Sequence, residues 1–299
     1  MTLASMRPFC QSLQTDRGRP WRIVGDVDAN STAVLSKWDL SMGDRLKVLF
    51  AGESWFTQCI HTKGFDSFET SSYHEGGTEL IDALRSGGVD VTYQPSHIAT
   101  NIFPSTIDEL RVFDVVILSD IGANTLLLPE RTFVRSEKTP NRLELLSSFV
   151  RQGGGFLMIG GYLTFQGIQA KGNYFATPVD DMLPISLLAS DDRQEQPQGI
   201  VPSITEPGHP VVSGLSDWPH LLGYNRSVMR AEGRLVATAG DDPLIAVRQF
   251  ESGRTAIFSS DCGPHWGPPE FVGWVGYARL WLNLVHWLAD RPTVGAAGR

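Results

Sequence analysis

Several things are scarce in this chain of 299 residues, and each scarcity excludes a class of protein. Cysteine occurs three times, at Cys10, Cys59 and Cys262, far apart and in no paired spacing. That excludes a disulfide framework and a zinc ribbon, and it fits a reducing compartment. No His-x-x-x-His or Cys-x-x-Cys pair occurs, so a metal would need ligands from separate loops, with His61, Asp120, Asp261 and His265 as candidates. Neither a metal nor another cofactor is expected. Charged residues make up only 19%, with no basic run, and 33 acids against 25 bases leave a net charge of −8. The electrostatic footprint of a nucleic-acid binder is therefore missing. Long apolar runs are missing too. The richest stretch, residues 271–289, is broken by Arg279, Asn283 and His286, short of the roughly 18 residues a membrane helix needs. The first 20 residues hold Arg7 and Cys10 but no apolar core of signal-peptide length. These absences predict a cytoplasmic protein whose partners include neither nucleic acid nor membrane.

What is present is apolar material, 41% of the chain, enough for one large core. Residues 1–45 mix Gly, Pro, Ser, Asp and Arg and read as an N-terminal extension, strand-like only at 21–24 and 32–35. Residues 46–290 read as the main domain and 291–299 as a tail. Within the domain, strands and helices alternate. Residues 47–51 form a short apolar run that ends in Gly52, as a buried parallel strand does. Helix spacing follows at 76–86, stopped by Gly87-Gly88, and further strands are predicted at 89–93, 114–119 and 156–159. Pro140 is placed to open a helix running to Gln152. Residues 244–250 and 255–259 read as a late β-hairpin turning on Gly253, and a single helix from 269 to 289 closes the fold. Residues 165–220 hold the longest irregular stretch, and no internal repeat is found. The pattern predicts an α/β fold: an open, mostly parallel, doubly wound, flavodoxin-like sheet with a late hairpin and a C-terminal helix.

Such sheets bind ligands beyond the carboxyl ends of their strands. The residues just after each strand are therefore the site candidates. Glu53, Asp120, Tyr162, Asp261, Cys262 and His265 are the candidates for chemistry, and Ser54, Trp55, His61, Lys63, Asn124 and Trp266 for holding a substrate. Carboxylates, an imidazole, a thiol and a phenol on one edge are what acid–base work in a cleft requires. Each also has a structural reading. Glu53 can complement a helix N-terminus, and Asp120 can form an Asx turn. Asp261 can cap its own loop while His265 stacks on Trp266. Cys10 and Cys59 read as an idle and a packed thiol. His97, His209, His220 and His286 read as structural histidines, and Trp274, Trp281 and Trp287 as core of the last helix.

Some of these segments resemble a known superfamily. The strand running into Gly160-Gly161-Tyr162 resembles the strand-to-helix elbow of class I glutamine amidotransferases. Residues 243–260, with Gly263-Pro264-His265-Trp266-Gly267, Leu282-Asn283 and 287–289, resemble trehalose-utilisation-type members. The opening Gly52-Glu53-Ser54-Trp55 with residues 61–66 is similar to the bacterial group called "putative glutamine amidotransferases". The likeness covers roughly residues 45–290. In working glutaminases of this superfamily the elbow carries a cysteine activated by a His, whose acid partner lies two residues on. Here the elbow position falls on Tyr162, and two residues past His265 stands Gly267. A phenol with an ordinary pKa near 10 does not replace that thiolate, and Cys262 belongs to another loop. The resemblance therefore implies the fold without glutaminase chemistry. Two readings of function follow. One is a small-molecule enzyme (a hydrolase, lyase or isomerase) on a polar or sugar-like metabolite. The other is a non-catalytic ligand-binding or scaffold module that kept the fold. The apolar circumference of the last helix, polar only at Arg279, Asn283 and His286, further predicts a homo-oligomer.

Overall fold

The computed structural model describes residues 45–291. The strand-like pieces at 21–24 and 32–35, and nearly all of the tail, lie outside the described residues. The strands are β1 (Lys47–Gly52), β2 (Ser54–Lys63), β3 (Asp66–Glu75), β4 (Asp90–Gln94), β5 (Val115–Ser119), β6 (Gly155–Ile159) and β7 (Ile185–Ser186). After them come β8 (Arg193–Ile200), β9 (Ser203–Ile204), β10 (Leu221–Asn225), β11 (Val228–Met229), β12 (Arg234–Ala239), β13 (Asp242–Phe250) and β14 (Gly253–Phe258).

One eight-stranded sheet organises the domain, in the order β4-β1-β5-β6-β14-β13-β12-β9. Its first five strands pair in parallel. Numbered by their own order of appearance, they run 2-1-3-4-5, the flavodoxin-like arrangement. The remaining pairs are antiparallel. The apolar runs of β5 and β6 are buried at every position because both faces of the sheet are covered. On one face, Leu80 and Leu84 of helix Thr78–Ser86 pack with Leu280, Trp281 and Leu284 of helix Tyr277–Leu288, over Val48, Phe50 and Ile117. On the other face, Leu143, Leu146, Phe149 and Val150 of helix Arg142–Arg151 pack on Val116, Leu118, Phe156 and Met158.

Five expectations need correction. Helix Arg142–Arg151 starts two residues after Pro140, because the Asn141 side chain caps it by accepting from the Leu143 and Glu144 amides. The late hairpin turns on Glu251, which takes φ +52°, and not on Gly253, which already pairs with Phe250. Gly253 serves close packing instead: a Cβ there would stand 2.1 Å from the Val150 carbonyl oxygen. The closing helix is two helices, Pro269–Val272 and Tyr277–Leu288, separated at Gly273 and Gly276. Residues 54–75 form a two-stranded ribbon, β2–β3, whose ten residues on β3 are all exposed. Their Ser- and Thr-rich pattern has no buried face, so periodicity carried no signal. Finally, the last helix is covered within the chain itself and does not call for a partner subunit. Asn283 donates to the Val211 and Ser213 carbonyls, His286 is buried, and of the polar stripe Arg279 alone is exposed.

Candidate functional site

The site forms where the strand order reverses, between β1 and β5, at the carboxyl edge of the sheet. Gly52 ends β1 at φ +119°, and a Cβ there would fall 1.7 Å from the Ser119 carbonyl oxygen. Only glycine lets the two strand ends close so tightly. The chain then turns through Glu53 at φ +46°, whose amide donates to the Ser119 carbonyl (2.9 Å) and whose Oε1 accepts from Ser119 Oγ (2.6 Å). The next residue begins β2, yet the fold brings the Glu53 side chain against Gly76 and Gly77, at the N-terminus of helix Thr78–Ser86, so the helix-dipole reading of Glu53 stands beside the functional one.

After β5, Asp120 takes φ +42° and reaches across to the elbow, where Oδ1 accepts from the Leu163 amide (2.7 Å). That is a bond between loops, not an Asx turn. The elbow itself is clasped by Asn225, fully buried at the end of β10. Asn225 Oδ1 accepts from the Gly161 amide (3.0 Å), and its Nδ2 donates to the Gly161 carbonyl (3.2 Å) and to Asp192 Oδ1 (2.8 Å). Asp192 in turn accepts from the Gln166 and Gly167 amides.

The loop after β14 supplies Asp261, Cys262 and His265. Asp261 Oδ1 accepts from the Gly263 amide, and its Oδ2 stands 3.8 Å from His265 Nδ1, too far for a hydrogen bond. The Cys262 sulfur touches Ser119 Oγ at 3.8 Å, and the Cys262 carbonyl accepts from Tyr277 Oη (2.6 Å). His265 holds φ +146° and stacks on Trp266 while meeting the Tyr162 ring edge-on at 4.2 Å. Three candidates thus carry backbone strain that ordinary residues avoid, and such strain gathers at working sites.

Two layers result. The floor is Glu53, Ser119, Asp261 and Cys262, all buried. The rim is part-exposed: Tyr162 and His265, with Arg193 over the Tyr162 ring at 4.8 Å. Glu195 joins the rim, accepting from Tyr162 Oη (3.2 Å) and Trp266 Nε1 (3.0 Å). Burial, then the charges of Asp261 and Asp120, push the Glu53 carboxyl well above the usual range. Burial and Asp120 do the same to Asp261. Burial raises Asp120, and burial with the Glu53 and Asp261 charges raises the Cys262 thiol. His265 moves the other way, because burial disfavours its cation more than Glu195 and Asp120 favour it.

The candidates divide by place. Glu53, Asp120, Tyr162, Asp261, Cys262, His265 and Trp266 converge. Ser54 lies beside them, its Oγ accepting from the Ser96 amide, and Trp55 stacks on His74 at the base of the ribbon. Asn124 is exposed on helix Ala123–Leu127 and enters none of the site's hydrogen bonds. His61 and Lys63 are corrected outright. They sit near the tip of the ribbon, opposite Phe68 and Asp66, with His61 about 23 Å along the strand from Ser54. The loop-borne metal set of His61, Asp120, Asp261 and His265 therefore does not assemble. Ser119, Arg193, Asp192, Glu195 and Asn225 escaped the sequence reading. Asn225 alone left a trace there, as a polar residue closing the apolar run Leu221-Leu222-Gly223-Tyr224.

Among the described residues no helix is long and apolar enough to cross a membrane. Residues 47–290 match the family described as "Putative glutamine amidotransferase". Two solved structures are similar over most of the chain. Cytoplasmic Protein STM3548 from Salmonella typhimurium is 49% identical with TM-score 0.80, over 81% of this chain and 99% of that one. Cytoplasmic Protein STM1381 from Salmonella typhimurium LT2 is 44% identical with TM-score 0.79, over 81% and 99%. No curated protein matches this chain.

Proposed function

Since the chain belongs to the family described as "Putative glutamine amidotransferase" and has no cysteine at its elbow, we propose that it is a cytoplasmic small-molecule enzyme that is not a glutaminase. Its substrate is a polar, hydroxyl-bearing metabolite, and its reaction is a hydrolysis, elimination or isomerisation run by acid–base chemistry. One observation carries the reading. Acids from three separate loops, Glu53 and Asp261 buried and Asp120 half-buried, converge at the switch point beneath a part-exposed rim, with Glu53, Asp120 and His265 held at positive φ. Asp120, raised by burial, and His265, lowered by burial, are moved toward one another, which suits proton transfer near neutral pH. Tyr162, Arg193 and Glu195 line the approach. The sugar-like substrate rests on the likeness to trehalose-utilisation-type proteins and is part of this proposal.

The 3.8 Å gap between His265 Nδ1 and Asp261 Oδ2, with His265 stacked on Trp266, favours the second reading, a ligand-binding module without turnover. A panel of sugars, polyols and hydroxy acids followed by NMR separates the two. An enzyme consumes a member of the panel, and Asp120→Asn and His265→Gln each slow it about 100-fold or more while staying folded. Ligands that bind and persist unchanged leave the module reading instead.

Association of copies is also proposed, at a different surface from the last helix. The β2–β3 ribbon exposes Phe56, Ile60, Phe65 and Phe68. A two-stranded hairpin is marginal in water by itself, and its open edges invite pairing.

A further inference from the structure

The floor of the site has a property that proton transfer at the rim does not use. A carboxylate oxygen of Glu53, one of Asp261 and the Cys262 sulfur all lie within 4.8 Å of one another. These residues expose only 3%, 5% and 1% of their surface. Their partners are few. Ser119 Oγ serves Glu53 Oε1, and the Gly263 amide serves Asp261 Oδ1. Asp261 Oδ2 faces His265 Nδ1 at 3.8 Å, and the Cys262 sulfur meets Ser119 in a long contact and the Glu53 carboxyl in a hydrogen bond. Among the described residues no lysine or arginine forms an ion pair with Glu53, Asp120 or Asp261. Buried carboxyls without a counter-charge hold their protons, as Glu53 and Asp261 do, or give them up to a cation that takes their place.

We propose that Glu53, Asp261 and Cys262 form a binding site for a divalent transition-metal ion, with zinc the best fit. Two hard oxygens and one soft sulfur match a borderline-soft ion, whereas magnesium and calcium take oxygen donors. Tetrahedral zinc with bonds of about 2.0–2.3 Å holds its donors about 3.5 Å apart, so a pair at the 4.8 Å limit would draw in by about 1 Å. The Glu53 side chain, with three torsions, can supply that movement. Three protein ligands leave a fourth position for a water or a substrate oxygen, as catalytic zinc sites do. Binding displaces the thiol proton to solvent, so affinity rises with pH. The proposal deepens the acid–base reading and rests on it in taking this edge as the working site, but binding is measurable without turnover.

The test is a titration of the chelator-stripped full chain with cobalt(II) alone. One equivalent is expected to produce a near-ultraviolet thiolate-to-cobalt charge-transfer band together with visible bands of a tetrahedral ion, and zinc is expected to erase both. Cys262→Ser should remove the ultraviolet band and weaken binding at least tenfold, and Asp261→Asn should weaken it similarly. Cys59→Ser, on the ribbon, should leave the band intact, and circular dichroism confirms that each variant is folded. A wild-type chain without the band, or a band that survives Cys262→Ser, overturns the site. Intact cobalt binding with no substrate ever consumed would instead sink the acid–base reading and leave the metal site standing.

Discussion

Glu53 Oε1 and Ser119 Oγ meet at 2.6 Å, and that hydrogen bond ties the end of β1 to the end of β5 across the reversal in strand order. The same two residues share the bond from the Glu53 amide to the Ser119 carbonyl. The Glu53–Ser119 half of the floor is thus fixed to the ends of two central strands, which is a precise foundation for chemistry.

Glutamine is expected to be left alone. The purified chain and its Cys262→Ala variant should release ammonia from glutamine no faster than buffer does, measured by a coupled ammonia assay. The reason is geometric: Tyr162 occupies the elbow, and the Cys262 thiol is buried on a different loop with its pKa pushed up. Turnover that disappears in Cys262→Ala would show that this thiol is the nucleophile after all.

Asn225→Ala should destabilise the fold strongly. It strips partners from the Gly161 amide, the Gly161 carbonyl and Asp192 Oδ1 in one step. Asp192 Oδ1 keeps the Gly167 amide, so two buried groups are orphaned, and at about 1–3 kcal/mol each a loss of about 2 kcal/mol or more is expected in urea unfolding. A loss below about 1 kcal/mol would mean that the elbow is held by something other than this clasp.

His209 and His286 should each contribute a loss of stability on acidification from pH 7 to 5, against the opposite contribution of the raised Glu53, Asp120 and Asp261 carboxyls. His209 Nδ1 accepts from the Val211 amide, and burial followed by the Arg254 charge lowers its pKa. Burial and Arg291 lower His286 in the same direction. The unfolded chain takes up these protons near pH 6.5, before the native chain does, so it binds more protons in that window and stability drops with pH. The drop levels off once the native imidazoles also protonate. His209→Asn keeps a cap acceptor for Val211 and removes one titration, so between pH 7 and 5 its unfolding free energy should fall by less, or rise by more, than the wild type's. A fall equal to or larger than the wild type's, or a rise no larger, would rule out His209 as a contributor.

The ribbon is expected to hold copies together. Replacing Ile60 and Phe65 with Ser should convert an assembly to monomers in sedimentation velocity while leaving the melting temperature of the domain nearly unchanged. The two positions are on the ribbon, and neither belongs to the two cores of the sheet. A wild-type chain that already sediments as a monomer at micromolar concentration would remove this part of the proposal.

By itself the sequence determined the fold class and the parallel core of the sheet. Buried parallel strands advertise themselves as short apolar runs because both faces are covered, so β1, β5 and β6 were legible within a residue. The strand-end rule then pointed to Glu53, Asp120, Tyr162 and Asp261 before any coordinates, because in a parallel sheet all such ends lie on one edge. The absence of an elbow cysteine was equally plain. Three things were decided only by the tertiary structure. Nothing local told that residues 54–75 leave the site as a ribbon and carry His61 and Lys63 away with them, since an exposed polar strand has no periodic burial to betray it. Nothing in the last helix told that Asn283 would find two backbone carbonyls 70 and 72 residues away, so that a polar stripe could be buried without a partner subunit. And the crowding of Glu53, Asp261 and Cys262 exists only because residues some 200 positions apart in the chain close on the same point. Proximity of that kind comes from how the strands are ordered in the sheet, and a linear pattern does not carry it.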